Sequence, residues 1–278
     1  MLNALTWGVS WWPFRWLQAH GLHALWATAL IYAVAVLVIV VARPGSVAHL
    51  VRTPRLWWLV LASGTTNATF NWAVTTGDVV RVVLLFYLMP LWAVLLARLM
   101  LHERLTRLAG VRVVLALAGA AVVLWPAEGG GAPVPRTLAE WLGVLGGFSF
   151  ALNNVLLRRE SEQPETARAL AMFSGGVTVA LVLAVWLHAA GQVPAPPALA
   201  LSWAGPALML ALAFLGGNMA LQYGAARLPA HTTAVVMVTE VLFASVSAVA
   251  LGAGTVTPAL AVGGGLIVAA ALLAAWRR

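Results

Sequence analysis

Runs of mostly apolar residues succeed one another along this chain. Each is about as long as the ~20 residues a helix needs to cross a bilayer. They predict ten helices, near 2–17, 22–42, 56–76, 79–101, 105–125, 138–157, 167–189, 203–225, 230–252 and 259–276. The breaks carry turn signals: Arg43-Pro44-Gly45, Pro126 to Pro135, Pro164, Pro194 to Pro197, Pro229 and Pro258. Residues 129–137, opening on Gly129-Gly130-Gly131, form a linker between 1–128 and 138–278, with five segments on each side. An odd number of spans per half makes the second half enter the membrane upside down. The expected fold is all-α and integral to the membrane, with ten transmembrane helices in two inverted five-helix repeats.

The polar positions inside these segments repeat as well. Ser63, Asn67, Asn71 and Thr75 recur at every fourth position, a stripe on one helix face. Asn67 and Asn71 find counterparts 151 residues on, at Asn218 and Gln222, which follow Phe214 in the same register. The same offset maps Pro90 onto Val241, beside Glu240. The sixth segment adds Ser149, Asn153 and Asn154. An amide accepts through its carbonyl and donates through its NH₂, so amides from several helices suit a zwitterion or a polar neutral molecule. Hydrogen bonding between helices is the competing reading, and a fixed repeat of the amides favours a shared cavity.

Composition agrees with the membrane reading. The chain is 62% hydrophobic and 9% charged, with mean hydropathy +0.94, whereas soluble domains carry about 25% charged residues. The net charge of +8 comes entirely from arginine, spread singly and in pairs rather than gathered in a stripe, which argues against nucleic acid. Eleven arginines fall in loops on the side of the N-terminus and only Arg136 in loops on the other. By the positive-inside rule both termini are cytoplasmic. Residues 1–17 lack a basic start and a small-residue cleavage site, and read as a short span. Cysteine is absent, so disulfides and thiolate metal sites are excluded.

Most of the 14 tryptophans mark segment ends, as interfacial anchors do. Trp7 and Trp11 fall inside the first segment, where pocket lining and bundle packing are equal readings; Tyr87 and Phe214 are further candidate walls. Glu240 is the carboxylate nearest the middle of a span. It reads either as a proton-coupling group or as a structural acid bonded to a neighbour such as Thr239. Asp78 and Arg81, three apart at the start of the fourth segment, are expected to pair, as a gate or as a surface ion pair. Pro90 and Gly216-Gly217 are candidate hinges or ordinary kinks. Gly143 and Gly147, Ala116 and Ala120, and Ala244, Ala248 and Gly252 recur at fourfold spacing, the mark of close helix contact. The six histidines show no metal-ligand spacing, and no phosphate loop, HExxH or GxSxG motif occurs. No cofactor, metal or catalytic chemistry is expected.

Pro90-Leu91-Trp92, followed by Leu101-His102-Glu103-Arg104-Leu105-Thr106 and then Gly110 and Gly119, resembles the EamA-type signature of the drug/metabolite transporter superfamily. His102 stands where that signature has Gly. Trp7-Gly8 with Arg15 resembles the first-helix motif, and Phe150-Ala151 with Arg158 its repeat copy. The second half departs from the pattern, with Val241 in place of Pro and Gly254 in place of a turn Glu. The resemblance implies ten helices, inverted repeats, and a central cavity lined by the stripes. It also implies export of small metabolites across a bacterial inner membrane by a carrier that works as a monomer. Within the superfamily the chain is most similar to amino-acid exporters, with the aromatic branch first. Multidrug efflux is the alternative substrate reading. A channel is the alternative of another class, though the sequence shows no filter motif.

Overall fold

The computed structural model describes residues 1–102, 107–125, 134–225 and 230–275, and their secondary structure is entirely helical. The first span breaks in two, α1 (Leu2–Val9) and α2 (Trp11–Ala19). Pro13 has no N–H for the carbonyl of Val9, so the ladder cannot continue; the Ser10 backbone N–H and hydroxyl both turn back to the Trp7 carbonyl. α3 (Ala24–Ala42) and α5 (Leu56–Thr76) match the second and third expected segments. Between them lies an unexpected short helix, α4 (Gly45–Arg52), with Leu50 buried and Val47 and Val51 exposed. Eight residues were too few to stand out among loop signals. The fourth segment is also broken, into α6 (Val79–Phe86) and α7 (Met89–Met100), with Pro90 in the first turn of α7. The break falls at Tyr87-Leu88. The side chain of Pro90 lies outside the described residues.

α8 (Arg107–Leu124) closes the first half; α9 (Leu138–Arg159), α10 (Glu165–Ala189), α11 (Leu201–Ala225), α12 (Ala230–Ala250) and α13 (Pro258–Ala275) make up the second. Thr137 and Glu140 start α9 with a capping box. α11 runs through Gly216-Gly217 without a break. Of the linker, 129–133 lie outside the described residues, as do Glu103 to Thr106 of the turn motif. His102, at the start of that turn, has φ 56, the left-handed region that glycine enters freely. That is the physical reason a Gly belongs at this place in the signature.

Among the described residues, five stretches are long and apolar enough to cross a membrane: Ala24–Ala42, Val79–Met100, Arg107–Leu124, Glu165–Ala189 and Leu201–Asn218. Their outer faces expose large apolar side chains, among them Leu37, Val114, Val182 and Met209. Such faces are unfavourable in water and stable against lipid.

The core is built by pairing across the two halves. α5 lies between α9 and α10, α3 packs on α10, α8 on α13, and α1 on α11 and α12. Small residues set the distances. Gly64 of α5 faces Gly175 of α10 so closely that a Cβ on either would strike the backbone of the other helix. At the entrance to α3, burial pushes the His23 imidazole below its usual range, which keeps Nδ1 an acceptor for the Leu25 N–H.

Candidate functional site

An unbroken chain of aromatic rings crosses the middle of the bundle. Phe173 of α10 meets Tyr32 of α3; Tyr32 meets Phe214 of α11; Phe214 lies 4.6 Å, centroid to centroid, from Trp7 of α1. Trp7 meets Phe70 of α5 at 6.1 Å, Phe70 meets Phe86 of α6 at 4.9 Å, and Phe86 touches Phe150 of α9 and Tyr87. Most of these contacts are edge-on or tilted, the arrangement that ring quadrupoles favour. Trp7, Phe150 and Phe173 are only half-buried. Of these rings the sequence singled out Trp7, Tyr87 and Phe214. Phe150 stood out only as part of the repeat copy of the first-helix motif, and Phe70, Phe86, Phe173 and Tyr32 were missed, because an aromatic residue in an apolar run carries no signal of direction.

The amide stripe on α5 turns toward α3. The Tyr32 hydroxyl donates to Asn67 Oδ1, while Asn67 Nδ2 donates to the Ser63 carbonyl at 2.8 Å and to Ser63 Oγ at 3.3 Å. Asn71 Nδ2 donates to Thr28 Oγ1 at 3.0 Å, and its buried Oδ1 has no hydrogen-bond partner. In this conformation Asn67 and Asn71 join helices. Asn67→Ala and Tyr32→Phe are therefore expected each to cost about 1–2 kcal/mol of stability, and the double change scarcely more than either alone. A thermal-unfolding double-mutant cycle checks this, and additive losses would refute the coupling.

The second half places its amides differently. Asn3 Nδ2 donates to Asn218 Oδ1 at 3.4 Å, linking α1 to α11, and Asn218 Nδ2 donates to the Phe214 carbonyl. Asn153 is buried with no partner for its Oδ1, whereas Asn154 beside it is exposed. The side chain of Gln222 lies outside the described residues. Gly217 packs on Thr6, and Gly216 has open space around it.

Glu240 of α12 is buried, and the Tyr87 hydroxyl donates to its Oε2 at 3.3 Å. Tyr87, at the break between α6 and α7, is thus a neighbouring hydroxyl that bonds this acid. α1 passes so near α12 that a Cβ at Gly8 would meet the Glu240 carbonyl and Phe243.

Trp7 and Trp11 pack in one core cluster. Trp11 is buried, and its Nε1 donates to Ser247 Oγ of α12 at 2.9 Å. The expected ion pair of Asp78 with Arg81 is replaced. Asp78 is the N-cap of α6 and spends Oδ1 on the Arg81 backbone N–H, so the Arg81 guanidinium pairs with Glu140 at 2.6 Å. These residues line a cavity of about 310 Å³ with Thr76, Gly77 and Thr137. Among the described residues, no cluster of three or more His, Cys, Asp or Glu could hold a metal.

Residues 1–125 match the EamA-like transporter family. This match supports a multi-pass membrane transporter of the drug/metabolite transporter superfamily, a group whose members carry solutes rather than catalyse reactions. The EamA-like region ends with α8, so it holds the whole first half of the aromatic chain. One solved crystal structure is similar over 98% of this chain and 95% of its own, with TM-score 0.59 and 18% identity, a likeness of fold alone. A comparison with curated proteins gives no match.

Proposed function

We propose that this protein is a secondary carrier that exports small metabolites, amino acids and the aromatic ones first, by alternating access. In this reading its ten spans form two inverted five-helix repeats, 1–128 and 138–278, in a bacterial inner membrane. Both termini face the cytoplasm, and a single chain is the working unit. The helix pairing supports the repeat. α1 with α11 has its counterpart in α9 with α5, α3 with α11 in α10 with α5, α1 with α12 in α9 with α6 and α7, and α7 with α8 in α12 with α13. The half-buried ring of Trp7 carries the substrate reading. It stands where the halves meet, between Phe70 of the first and Phe214 of the second, with the Asn3–Asn218 link one turn away. Stacking walls suit the side chain of an aromatic amino acid, and amides within a turn suit its head group. A site shared between halves changes shape when they rock, which is what a carrier requires.

The same walls would accept a flat cation, so multidrug efflux is the second reading. Counterflow in proteoliposomes tests both, with labelled Trp, Phe, Thr and a cationic dye in parallel at matched internal pH. Accumulation of labelled Trp or Phe against unlabelled internal amino acid is the expected result. Movement of the dye alone would shift the assignment to drug efflux. Flux that neither saturates nor shows counterflow would indicate a channel.

A further inference from the structure

One end of the bundle, opposite the N-terminus, is tied shut by polar contacts that the transport reading leaves unused. α2, the second piece of the broken first span, supplies the centre. Arg15 Nε donates to the Val74 carbonyl at 2.8 Å, and Arg15 Nη2 to the Gly77 carbonyl. Both acceptors belong to the last turn and C-cap of α5, where carbonyls have no partner within the helix and the dipole favours a cation. The guanidinium also lies over the Trp11 ring, 5.5 Å from its centroid, and Trp11 in turn donates to Ser247 of α12. Next to it Asp78 Oδ2 accepts from the Thr255 N–H in the connection between α12 and α13, and Arg81 pairs with Glu140 of α9. One end of five spans is thereby joined through six side chains.

We infer that Arg15 is the pin of a gate at this end, holding α2 against α5 and α12, and that it must release for the end to open. This inference rests on the alternating-access reading. The break at Ser10 lets α2 move while α1 stays packed on α11 and α12, because no helical hydrogen-bond ladder runs unbroken between them. Arg15 is suited to such a pin because its planar fork holds two carbonyls at once, and a single lost contact leaves a half-buried guanidinium still held by the other.

The absence of cysteine gives a clean background for the test. Ser10→Cys places a thiol behind the pin, at a side chain that is 1% exposed in this structure. A membrane-impermeant thiol reagent is applied to sealed cells and to inside-out vesicles, and a terminal tag identifies the side carrying the N-terminus. Adding Arg15→Gln is expected to raise labelling from the side opposite the tag about tenfold, the size of one lost charge-assisted hydrogen bond. Ser247→Ala, a change small enough to leave folding intact, is expected to raise it less and from the same side. Unchanged labelling in both variants, or a rise only from the tagged side, would overturn the gate. If Arg15→Gln yields no folded protein, Ser247→Ala alone decides. The readout needs no substrate, so its failure is distinct from a failure of counterflow.

Discussion

Adding a single methyl group at Gly175 is expected to lower stability by about 1–3 kcal/mol, a large loss for so small a change. Its Cβ would collide with the Val60 carbonyl and with the Gly64 backbone N, and neither can move without displacing a turn of α5. Tyr32 of α3, which donates to Asn67 of α5, packs on the next residue of α10, Gly176, so the damage would spread to that contact. The comparison is Gly110→Ala on α8, where no heavy atom lies within 4 Å of the new Cβ. That change is expected to be neutral, or to stabilise by about 0.5–1 kcal/mol through the better helix propensity of alanine. Thermal unfolding of both variants in detergent checks the pair. Equal unfolding temperatures would mean that the helices do not approach as closely as described.

Glu240→Gln is expected to abolish proton-driven accumulation of substrate while leaving counterflow in place. A gradient of one pH unit supplies about 1.4 kcal/mol per proton, or tenfold accumulation, and that tenfold should disappear. Gln has nearly the shape of Glu and still accepts from the Tyr87 hydroxyl, so packing against α1 and α6 is kept and only the exchangeable proton is lost. The position is suited to coupling because Glu240 lies on α12 behind Gly8, and Tyr87 links it to the aromatic chain through Phe86. Accumulation measured in proteoliposomes across an imposed pH gradient decides. A variant that still accumulates tenfold would place Glu240 among the structural acids.

Some features were legible in the pattern because they depend on length and hydropathy alone. The segments at 22–42, 56–76 and 79–101 reappear within a few residues as α3, α5, and α6 with α7. The Gly143–Gly147 stripe faces Val82 and Phe86 of α6, as small residues at fourfold spacing are expected to do. Other features depend on what lies across the gap. The four-residue spacing of Asn67 and Asn71 gave a face, but α3 decided that the face would be spent on Tyr32 and Thr28. The three-residue spacing of Asp78 and Arg81 suggested an ion pair. Capping of α6 took the carboxylate, and Glu140, 59 positions after Arg81, took the guanidinium.

The sequence by itself determined that this chain is a helical bundle suited to lipid, that the amides of its apolar segments recur at a fixed offset, and that cysteine chemistry is absent. Each is a property of residues read one after another, and periodicity and transfer free energy act along the chain. The tertiary structure alone decided where the first span breaks relative to its partners, which rings form the chain through Trp7, that Tyr87 holds Glu240, and that Arg15 reaches the end of α5. Those contacts join residues tens to hundreds of positions apart, and they exist only because close helix packing brings their side chains within a few ångströms.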